Sequence, residues 1–266
     1  MINRRVSLVH KYLENFLKYQ PLLRNLIVRD LKVKYRRSVL GILWSVLNPL
    51  LMMLVMTAIF STLFKSDIPN FPVYYLTGSV IFSFFSEATN SAMGSILYSG
   101  ALLKKVYIPK YIFPVEKVLF SFVNLLFSLI ALVLILIITS TKVSLTVLLF
   151  PIPLLYALVF SLGVGLLLSV LAVFFRDVLH LYSVLLTAWT YFTPIFYPIS
   201  ILPKQYQKLF LLNPLYHYIA YFRELVMAGA VPGFRENLIC IVISLIPMLL
   251  GMVIFKAKQD RFVLYI

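Results

Sequence analysis

Charged side chains are scarce in this sequence, and hydrophobic ones are abundant. Asp, Glu, Lys and Arg make up 12% of the 266 residues, whereas 62% of the residues are hydrophobic. A soluble domain has about 25% charged and about 45–50% apolar residues, because it needs a polar surface around its core. The composition therefore excludes a soluble enzyme, a disordered tail and a collagen-like rod, and it predicts a polytopic membrane protein.

Acidic residues, histidine and cysteine are also rare. The chain has nine Asp and Glu, three His and one Cys, and the single Cys240 forbids an internal disulfide. The histidines lie in three separate regions, and no D-x-D pair, H-E-x-x-H or G-x-x-x-x-G-K-S/T occurs. These absences argue against a metal cluster and a nucleotide-phosphate loop. The sequence predicts no catalytic residue, no metal site and no bound cofactor in this chain.

Basic residues outnumber acidic ones, 24 to nine, which gives a net charge of +15. In a soluble protein this excess would suggest nucleic acid. In a membrane protein it is explained by cytoplasmic loops that follow the positive-inside rule and by attraction to anionic lipids. We therefore expect the basic residues to meet membrane lipids and not nucleic acid.

Six hydrophobic stretches follow a basic N-terminal region, and each is long enough for a spanning helix of about 20 residues. They cover residues 39–64, 73–98, 114–139, 145–174, 178–198 and 237–255. Residues 5–20 have apolar side chains at helical spacing but are too polar to span, which favours a helix in the membrane interface. Pro21 suits the first position of a second helix. This pattern predicts an all-α fold, with cytoplasmic interface helices in residues 1–38 and a transmembrane domain in residues 39–266.

The distribution of positive charge predicts the orientation of the chain. Most Lys and Arg residues lie in residues 1–38, in the connectors 99–113 and 175–177, and after residue 255. The positive-inside rule places these segments on the cytoplasmic side. We therefore expect both termini in the cytoplasm, which agrees with an even number of spans.

The segment between the last two hydrophobic stretches, residues 199–236, is unusual. Its apolar runs are too short to cross a membrane, and Pro203, Pro214 and Gly229 interrupt it. The pattern predicts two short helices that dip partway into the membrane from outside. Since irregular backbone at that depth must be surrounded by protein or water, we expect this segment to cap a cavity or pathway.

Three segments together carry a resemblance to a known family. They are KVKYRRSVLGILWSVLNPL at residues 32–50, GALLKKVYIPKYIFPV at residues 100–115 and FFRDV at residues 174–178. They resemble the permease subunits of type-2 ABC exporters of bacterial polysaccharides, a family that includes O-antigen, teichoic acid and rhamnose-rich polysaccharide exporters. The resemblance covers essentially the whole chain.

The resemblance implies a multi-pass permease of the bacterial cytoplasmic (inner) membrane that is not an enzyme by itself. In this family two copies of the permease form a homodimer and work with two copies of a separate ATPase subunit, which binds ATP and magnesium. The cargo is a polysaccharide linked to polyprenyl pyrophosphate. A type-2 exporter of drugs or small lipids, and a membrane enzyme acting on polyprenyl-linked sugars, are the alternatives.

In this family the connector between the second and third spans is a coupling helix that contacts the ATPase. The resemblance places that helix at residues 100–113 and implies contacts through Leu103, Lys104, Lys105, Val106, Tyr107, Ile108 and Pro109. The alternative is a simple positive-inside anchor with an aromatic side chain at the interface. Arg176 and Asp177, in the shortest connector, either anchor and cap the next helix or add a second ATPase contact.

Two further groups of residues have proposed roles at the two membrane surfaces. In this family outer re-entrant helices form an extracellular gate, which implies gate residues Asn213, Pro214, Tyr216, Tyr218, Arg223 and Glu224. The basic residues before the first span are Arg29, Lys34, Arg36 and Arg37. They either hold anionic lipid, at about 1 kcal/mol each, or guide the cargo's pyrophosphate through bidentate bonds.

Aromatic residues make up 15% of the chain and crowd the second and fifth stretches. A flat ring can stack on the C–H face of a sugar without gripping one unit of a repeating polymer. The candidates for a substrate pathway are Phe82, Phe85, Glu87, Trp189, Phe192, Phe196 and Tyr197. At about 100° per residue, Trp189, Phe192 and Phe196 share one helix face, and Tyr191 points away from it. The alternative is core packing for the rings and a hydrogen-bonded packing position for the mid-membrane carboxylate of Glu87.

Overall fold

The structure is a computed structural model of the chain. It describes the backbone of residues 2–36, 38–63 and 68–266, and the side chains of residues 18–36, 38–61 and 68–266. Within these residues the regular secondary structure is helical and contains no strand, so the prediction of an all-α fold is confirmed. The chain forms two compact units, Met1–Gly41 and Ile42–Ile266.

The first unit is dominated by one long helix, α1, Ile2–Tyr35. Pro21, predicted to begin a second helix, lies inside α1 instead. A proline removes one backbone hydrogen bond, but the helical residues on both sides keep the others, so the helix continues. The side chains of residues 1–17, on which the predicted interface face depends, lie outside the described set, and so does Arg37.

The second unit is a bundle of helices joined by short connectors. In chain order its α-helices are α2 (Trp44–Ala58), α3 (Phe71–Tyr98), α4 (Gly100–Leu103), α5 (Ile112–Ile138), α6 (Pro151–Phe174), α7 (Val178–Tyr191), α8 (Lys204–Phe210), α9 (Pro214–Arg223) and α10 (Phe234–Lys258). Tighter 3-10 turns occupy Gly41–Leu43, Leu145–Leu149, Ile199–Ile201 and Gln259–Leu264. Wider π-helical turns extend α2 at Ile59–Leu63 and α9 at Glu224–Ala228.

Helix α3 lies at the centre of the bundle. It packs against α2, α5, α6, α7 and α9, and residues such as Leu76, Ile81 and Phe85 are fully buried. In a membrane such packing stabilises mainly through van der Waals contact, because lipid tails are as apolar as the side chains themselves. The central position of α3 makes its remaining uncovered face a candidate for function.

Helices α6 and α10 approach each other closely at two glycines. A Cβ atom on Gly163 would overlap the backbone of Pro247 and Met248, and one on Gly251 would overlap the carbonyl oxygen of Gly163. Small residues let two helix backbones come into direct contact and gain dispersion energy along the seam. The two glycines therefore set the distance between α6 and α10.

Four segments of the described chain are long and apolar enough to cross a membrane. They are Gly41–Ser61, Ile112–Ile138, Leu145–Phe174 and Phe234–Leu264. The other two predicted spans, α3 and α7, do not meet these requirements of length and hydrophobicity, each for a different reason. Helix α3 has 28 residues but carries Ser, Thr, Asn and Glu along its length. Helix α7 has only 14 residues, about 21 Å of helix against a hydrocarbon core of about 30 Å.

The connectors of the second unit gather at two ends of the bundle, which we name end A and end B. End A holds the connectors after α3 and after α6 together with the residues after α10, and Lys104 hydrogen-bonds the backbone oxygen of Ile266 there. End B holds the connectors after α2, after α5 and between α7 and α10, and Asn70 donates a hydrogen bond to Thr141 there. The predicted coupling connector thus lies at end A and the predicted gate segment at end B.

Helix α7 ends at Tyr191, earlier than the predicted stretch 178–198. Pro194 and Pro198 follow it, and a proline has no backbone N–H with which to continue a helix. The break leaves backbone carbonyl groups at end B that need hydrogen-bond donors from elsewhere.

Candidate functional site

Helices α3 and α7 pack side by side in opposite directions. The Tyr182 hydroxyl on α7 donates a hydrogen bond of 2.7 Å to the Thr89 hydroxyl on α3. Farther along, the Trp189 and Phe85 rings meet edge to face at 5.2 Å. Residue numbers rise on one helix as they fall on the other, so the pair is antiparallel.

An open polar groove of about 330 Å³ runs beside this contact line. The polar groove is lined by Ser86, Asn90, Ser183, Leu186, Thr187, Thr190 and Tyr191. Its polar side chains lie at i and i+4 on α3, and at i, i+4 and i+7 on α7, which places each set on one helix face.

The hydroxyl groups of the polar groove keep acceptor capacity for a ligand. Ser183, Thr187 and Thr190 donate their protons to backbone oxygens of α7 itself, at 2.7, 3.1 and 2.9 Å. Their oxygen lone pairs are then available, and Asn90 is exposed with a full amide. Hydrocarbon cannot satisfy such groups, so this face requires water or another polar partner.

The aromatic residues predicted to line a pathway have packing partners in the structure. Phe82 and Phe85 are buried, at 6% and 0% exposure. The indole N–H of Trp189 donates a hydrogen bond of 2.9 Å to Asn213, and Phe196 stacks on Phe60 and Tyr75 with ring centroids 6.0 Å from each.

The shared helix face predicted for Trp189, Phe192 and Phe196 does not form. Phe192 packs against Phe210, with ring centroids 4.7 Å apart. Because α7 ends at Tyr191, Phe192 and Phe196 lie beyond the helix, whereas Tyr191, predicted to point away, lines the polar groove. Tyr197 also lies past the break and donates its hydroxyl to the Tyr191 carbonyl. The substrate role of these rings stays a prediction.

Glu87 lies on α3 and is partly buried. The amide of Asn124, on α5, donates a hydrogen bond of 3.3 Å to its carboxylate. This contact corresponds to the packing alternative for Glu87, because it joins two helices of the bundle.

Asn213 joins α7 to α9 at end B. It is 2% exposed, and its side-chain oxygen accepts from the Leu215 backbone N–H and from Trp189 at 3.1 and 2.9 Å. Its amide nitrogen donates to the Phe192 carbonyl and the Thr193 hydroxyl at 3.1 and 2.9 Å. One side chain therefore caps α9 and holds the end of α7 in place.

Arg223, at the end of α9, binds the carbonyl groups exposed by the break after α7. It donates to Pro194 at 2.8 Å, to Ile195 at 3.3 Å and to Tyr74 at 3.0 Å. Its guanidinium also lies 3.5 Å from the centre of the Tyr74 ring. Gly78 leaves room for it, because a Cβ there would come within 2.7 Å of the guanidinium.

Burial changes the pKa of Arg223 without removing its charge. Removal from water lowers the pKa of Arg223 to about 10, so the guanidinium stays charged at neutral pH. A cation held by backbone carbonyl dipoles and an aromatic face is a strong link between α9, α3 and the broken end of α7.

The other predicted gate residues also belong to the segment at end B. Pro214 occupies the first turn of α9, where the missing N–H costs nothing. Tyr218 is fully buried and meets Phe160 of α6 edge to face at 5.8 Å. Tyr216 is partly buried beside His217, and Glu224 begins the π-helical turn that ends α9.

The predicted coupling connector has an exposed central stretch at end A. Lys104, Lys105, Val106 and Tyr107 are exposed, and Tyr107 reaches 94%. Leu103 and Ile108, on either side, are partly buried and pack against the apolar cluster at this end, and Pro109 is partly buried. An exposed basic and aromatic stretch between two anchored residues is a surface that can meet a partner.

Arg176 and Asp177 are both exposed between α6 and α7. Asp177 stands at the N-cap position of α7, but its side chain makes no capping hydrogen bond. Its backbone carbonyl accepts from His180 and Leu181 at 3.0 Å each.

The basic residues of α1 differ in the contacts that their side chains make. Arg29 donates two hydrogen bonds, of 2.9 and 2.8 Å, to one carboxylate oxygen of its neighbour Asp30. The Lys34 ammonium lies 5.9 Å from the Tyr35 ring centre, and Arg36 is exposed. The spacing of Lys32 places it on the same helix face as Arg29 and Arg36. It was not among the residues predicted to bind lipid or pyrophosphate.

The polar groove itself was missed by sequence reasoning. Its signal was present in the spacing of Ser86 with Asn90 and of Ser183 with Thr187 and Thr190 inside otherwise apolar stretches.

Comparison with known proteins identifies the family. Residues 21–227 match the family described as ABC-2 type transporter. The chain belongs to this family. As an ABC-2 permease it is an integral membrane protein, and the family implies an ABC ATPase as its partner.

Curated relatives of this ABC-2 permease align over nearly their whole length. The O-antigen export system permease protein RfbA of Myxococcus xanthus is 30% identical over 247 residues, 92% of this chain and 95% of the relative. RfbA of Klebsiella pneumoniae is 29% identical, covering 88% and 90%. The polysialic acid transport protein KpsM of Escherichia coli is 26% identical, covering 88% and 92%.

Proposed function

We propose that this ABC-2 permease is the transmembrane subunit of an ATP-driven exporter that moves a polyprenyl-pyrophosphate-linked polysaccharide across the bacterial cytoplasmic membrane. The names of the relatives, which refer to O-antigen export and polysialic acid transport, support a polysaccharide cargo. The functional unit is two copies of this chain with two copies of the ATPase.

The polar groove is the observation that carries this proposal. A saccharide chain offers many hydroxyl groups, which exchange hydrogen bonds with hydroxyl and amide side chains. Several weak partners in a row suit a polymer that must slide, because no single unit is held tightly. The groove therefore faces a water-filled pathway. Helix α3 crosses the membrane beside it, and α7 does so together with the irregular residues 192–198 that follow it, which completes six spans.

The two ends of the bundle have different parts in this proposal. End A faces the cytoplasm, because the exposed Lys104 and Lys105 lie there and the positive-inside rule favours that side. ATP and magnesium bind to the partner ATPase, so the permease is not an enzyme by itself and needs no cofactor. Residues 103–109 transmit the movement of the ATPase, and Arg176 and Asp177, in the connector after α6 at the same end, add a second contact.

End B faces outward and forms the outer gate. The segment 199–236 dips into the membrane and is held by Asn213 and Arg223, whose bonds tie it to α3 and to the broken end of α7. Release of the cargo requires this end to open, so the two side chains control how far α9 can move.

Deletion and complementation in the native bacterium test the proposal. We expect cells without the permease to lose surface polysaccharide and to accumulate lipid-linked polymer on the cytoplasmic side. Re-expression of the permease restores export only in cells that also contain the partner ATPase. Unchanged surface polysaccharide with altered drug sensitivity would contradict the proposal and support the drug-exporter alternative.

A further inference from the structure

The residues that follow α10 fold back onto end A instead of leaving the bundle. The 3-10 turn Gln259–Leu264 places Phe262 in a fully buried position. Its ring meets Phe255 of α10 at 5.3 Å and Phe174, the last residue of α6, at 6.1 Å. Tyr265 also packs against Phe174, with ring centroids 4.9 Å apart. The segment is therefore fixed to the ends of α6 and α10.

Two lysines of the predicted coupling connector bind the backbone of this segment. The Lys104 ammonium donates to the backbone oxygen of Ile266 at 2.6 Å. The Lys110 ammonium donates to the backbone oxygen of Gln259 at 2.7 Å and lies 5.9 Å from the Phe262 ring centre. Hydrogen bonds from a charged donor are stronger than neutral ones. The two bonds lie on either side of the exposed stretch that contains Tyr107.

The start of the connector also accommodates the segment. Gly100 is buried, and a Cβ atom there would overlap the side chain of Ile266. Glycine is the only residue type without such an atom, so the close approach depends on it. The connector thus contacts residues 259–266 at three places: Gly100, Lys104 and Lys110.

We propose that residues 259–266 position the coupling connector, so that movement of the ATPase is transmitted to α6 and α10. This inference rests on the proposed function, because it takes residues 103–109 as the ATPase contact. A connector held only by α3 and α5 would bend when the ATPase pushes on Tyr107. Here the push passes through Lys104 and Lys110 to the segment, and through Phe262 to two helices that are themselves in close contact.

The test measures export per ATP hydrolysed in the complex of permease and ATPase. The variants are Phe262→Ala, which removes the anchor, and Lys110→Ala, which removes a bond outside the predicted ATPase contact. Arg261→Ala is the matched control, because Arg261 is exposed in the same segment. Lys110→Arg keeps a cation at the position and should restore most of the coupling.

We expect Phe262→Ala and Lys110→Ala to lower export per ATP by about fivefold or more, the scale of a typical coupling between two sites. ATPase binding and ATP turnover should stay close to wild type, and Arg261→Ala should have no effect. If export falls only in proportion to the amount of folded complex, or if Lys110→Ala couples normally, the inference is wrong. A wild-type permease that binds no ATPase and exports nothing would instead contradict the proposed function.

Discussion

Two helix pairs of the same bundle are built in opposite ways. Helices α6 and α10 meet at Gly163 and Gly251 with their backbones in contact. Helices α3 and α7 touch through Tyr182 and Trp189 but leave a polar groove open beside that contact. An apolar chain thus uses glycine where two helices stay together and hydroxyl groups where a face must stay wet. The first pair supports the bundle, and the second provides the surface that we propose lines the transport pathway.

The first prediction tests the pair α6 and α10, named here the support pair, and has the largest expected effect. Gly163→Ala places a Cβ against the backbone of Met248, which cannot move without shifting α10. We expect a loss of about 3 kcal/mol in the free energy of unfolding, the upper range for overpacking. The measurement is the thermal unfolding midpoint of the purified permease in detergent.

Gly233→Ala is the control for this substitution. A Cβ at that position meets only the flexible side chain of Glu236, so stability should change little. Equal midpoints for the two variants would mean that α6 and α10 are not held by their glycine contact, and the contrast between the pairs would fail.

The sequence predicted the support pair better than the pair with the groove. The apolar stretches 145–174 and 237–255 became α6 and α10 with small shifts of their ends, because unbroken hydrophobic runs decide the position of spanning helices. Nothing in that pattern shows which glycines meet, since contact across helices depends on their rotation and not on hydropathy.

The groove pair was harder to predict for two physical reasons. Pro194 and Pro198 end α7 early, so the helix face expected to include Phe192 and Phe196 does not exist. Trp189 is also drawn toward α9 by its hydrogen bond with Asn213. Such a bond joins residues far apart in sequence, and no periodicity within one helix can reveal it.

The second prediction tests how the outer end of the groove pair is held. Asn213→Ala leaves the Trp189 indole N–H and the Leu215 backbone N–H without their acceptor. An unsatisfied buried polar group costs about 1–3 kcal/mol, so we expect a loss of about 2 kcal/mol in the free energy of unfolding. Asn48→Ala, at an exposed position on α2, is the control.

Fluorescence gives this second prediction a local measurement. The chain has two tryptophans, so in a Trp44→Phe background the emission reports Trp189 alone. Asn213→Ala should shift that emission to the red as the end of α7 loosens. An unshifted spectrum together with unchanged stability would show that Asn213 does not join α7 to α9.

The third prediction concerns the polar groove itself and has the smallest effect on stability. Thr187→Val removes a hydroxyl of the groove, and Thr77→Val removes a buried hydroxyl of α3. The Thr187 hydroxyl donates to the Ser183 carbonyl, and the Thr77 hydroxyl donates to the carbonyls of Val73 and Tyr74. Both variants therefore lose hydrogen bonding to the backbone of their own helix, and only the first changes the groove.

We expect both variants to fold and only Thr187→Val to impair export. One lost hydrogen bond of about 0.5–1.5 kcal/mol corresponds to a fall of about two- to tenfold. Asn90→Leu, which removes an amide from the same groove, should act in the same direction. Surface polysaccharide per folded complex is the measurement, and equal export from the two threonine variants would remove the groove from the pathway.

Labelling of introduced cysteines decides whether the groove is in contact with water. A cysteine at Thr187 should react with a water-soluble maleimide in the assembled complex, whereas one at Val184, exposed on α7 but outside the groove, should not. The native Cys240 is buried, so its background labelling is low. Because a thiol reacts as the thiolate, which forms in water and not in hydrocarbon, reactivity reports the surroundings of the side chain directly. If neither position reacts with the maleimide, the hydroxyl groups pack against the second copy of the chain instead of facing water. The contrast between the closely packed α6–α10 pair and a water-exposed α3–α7 groove would then not hold.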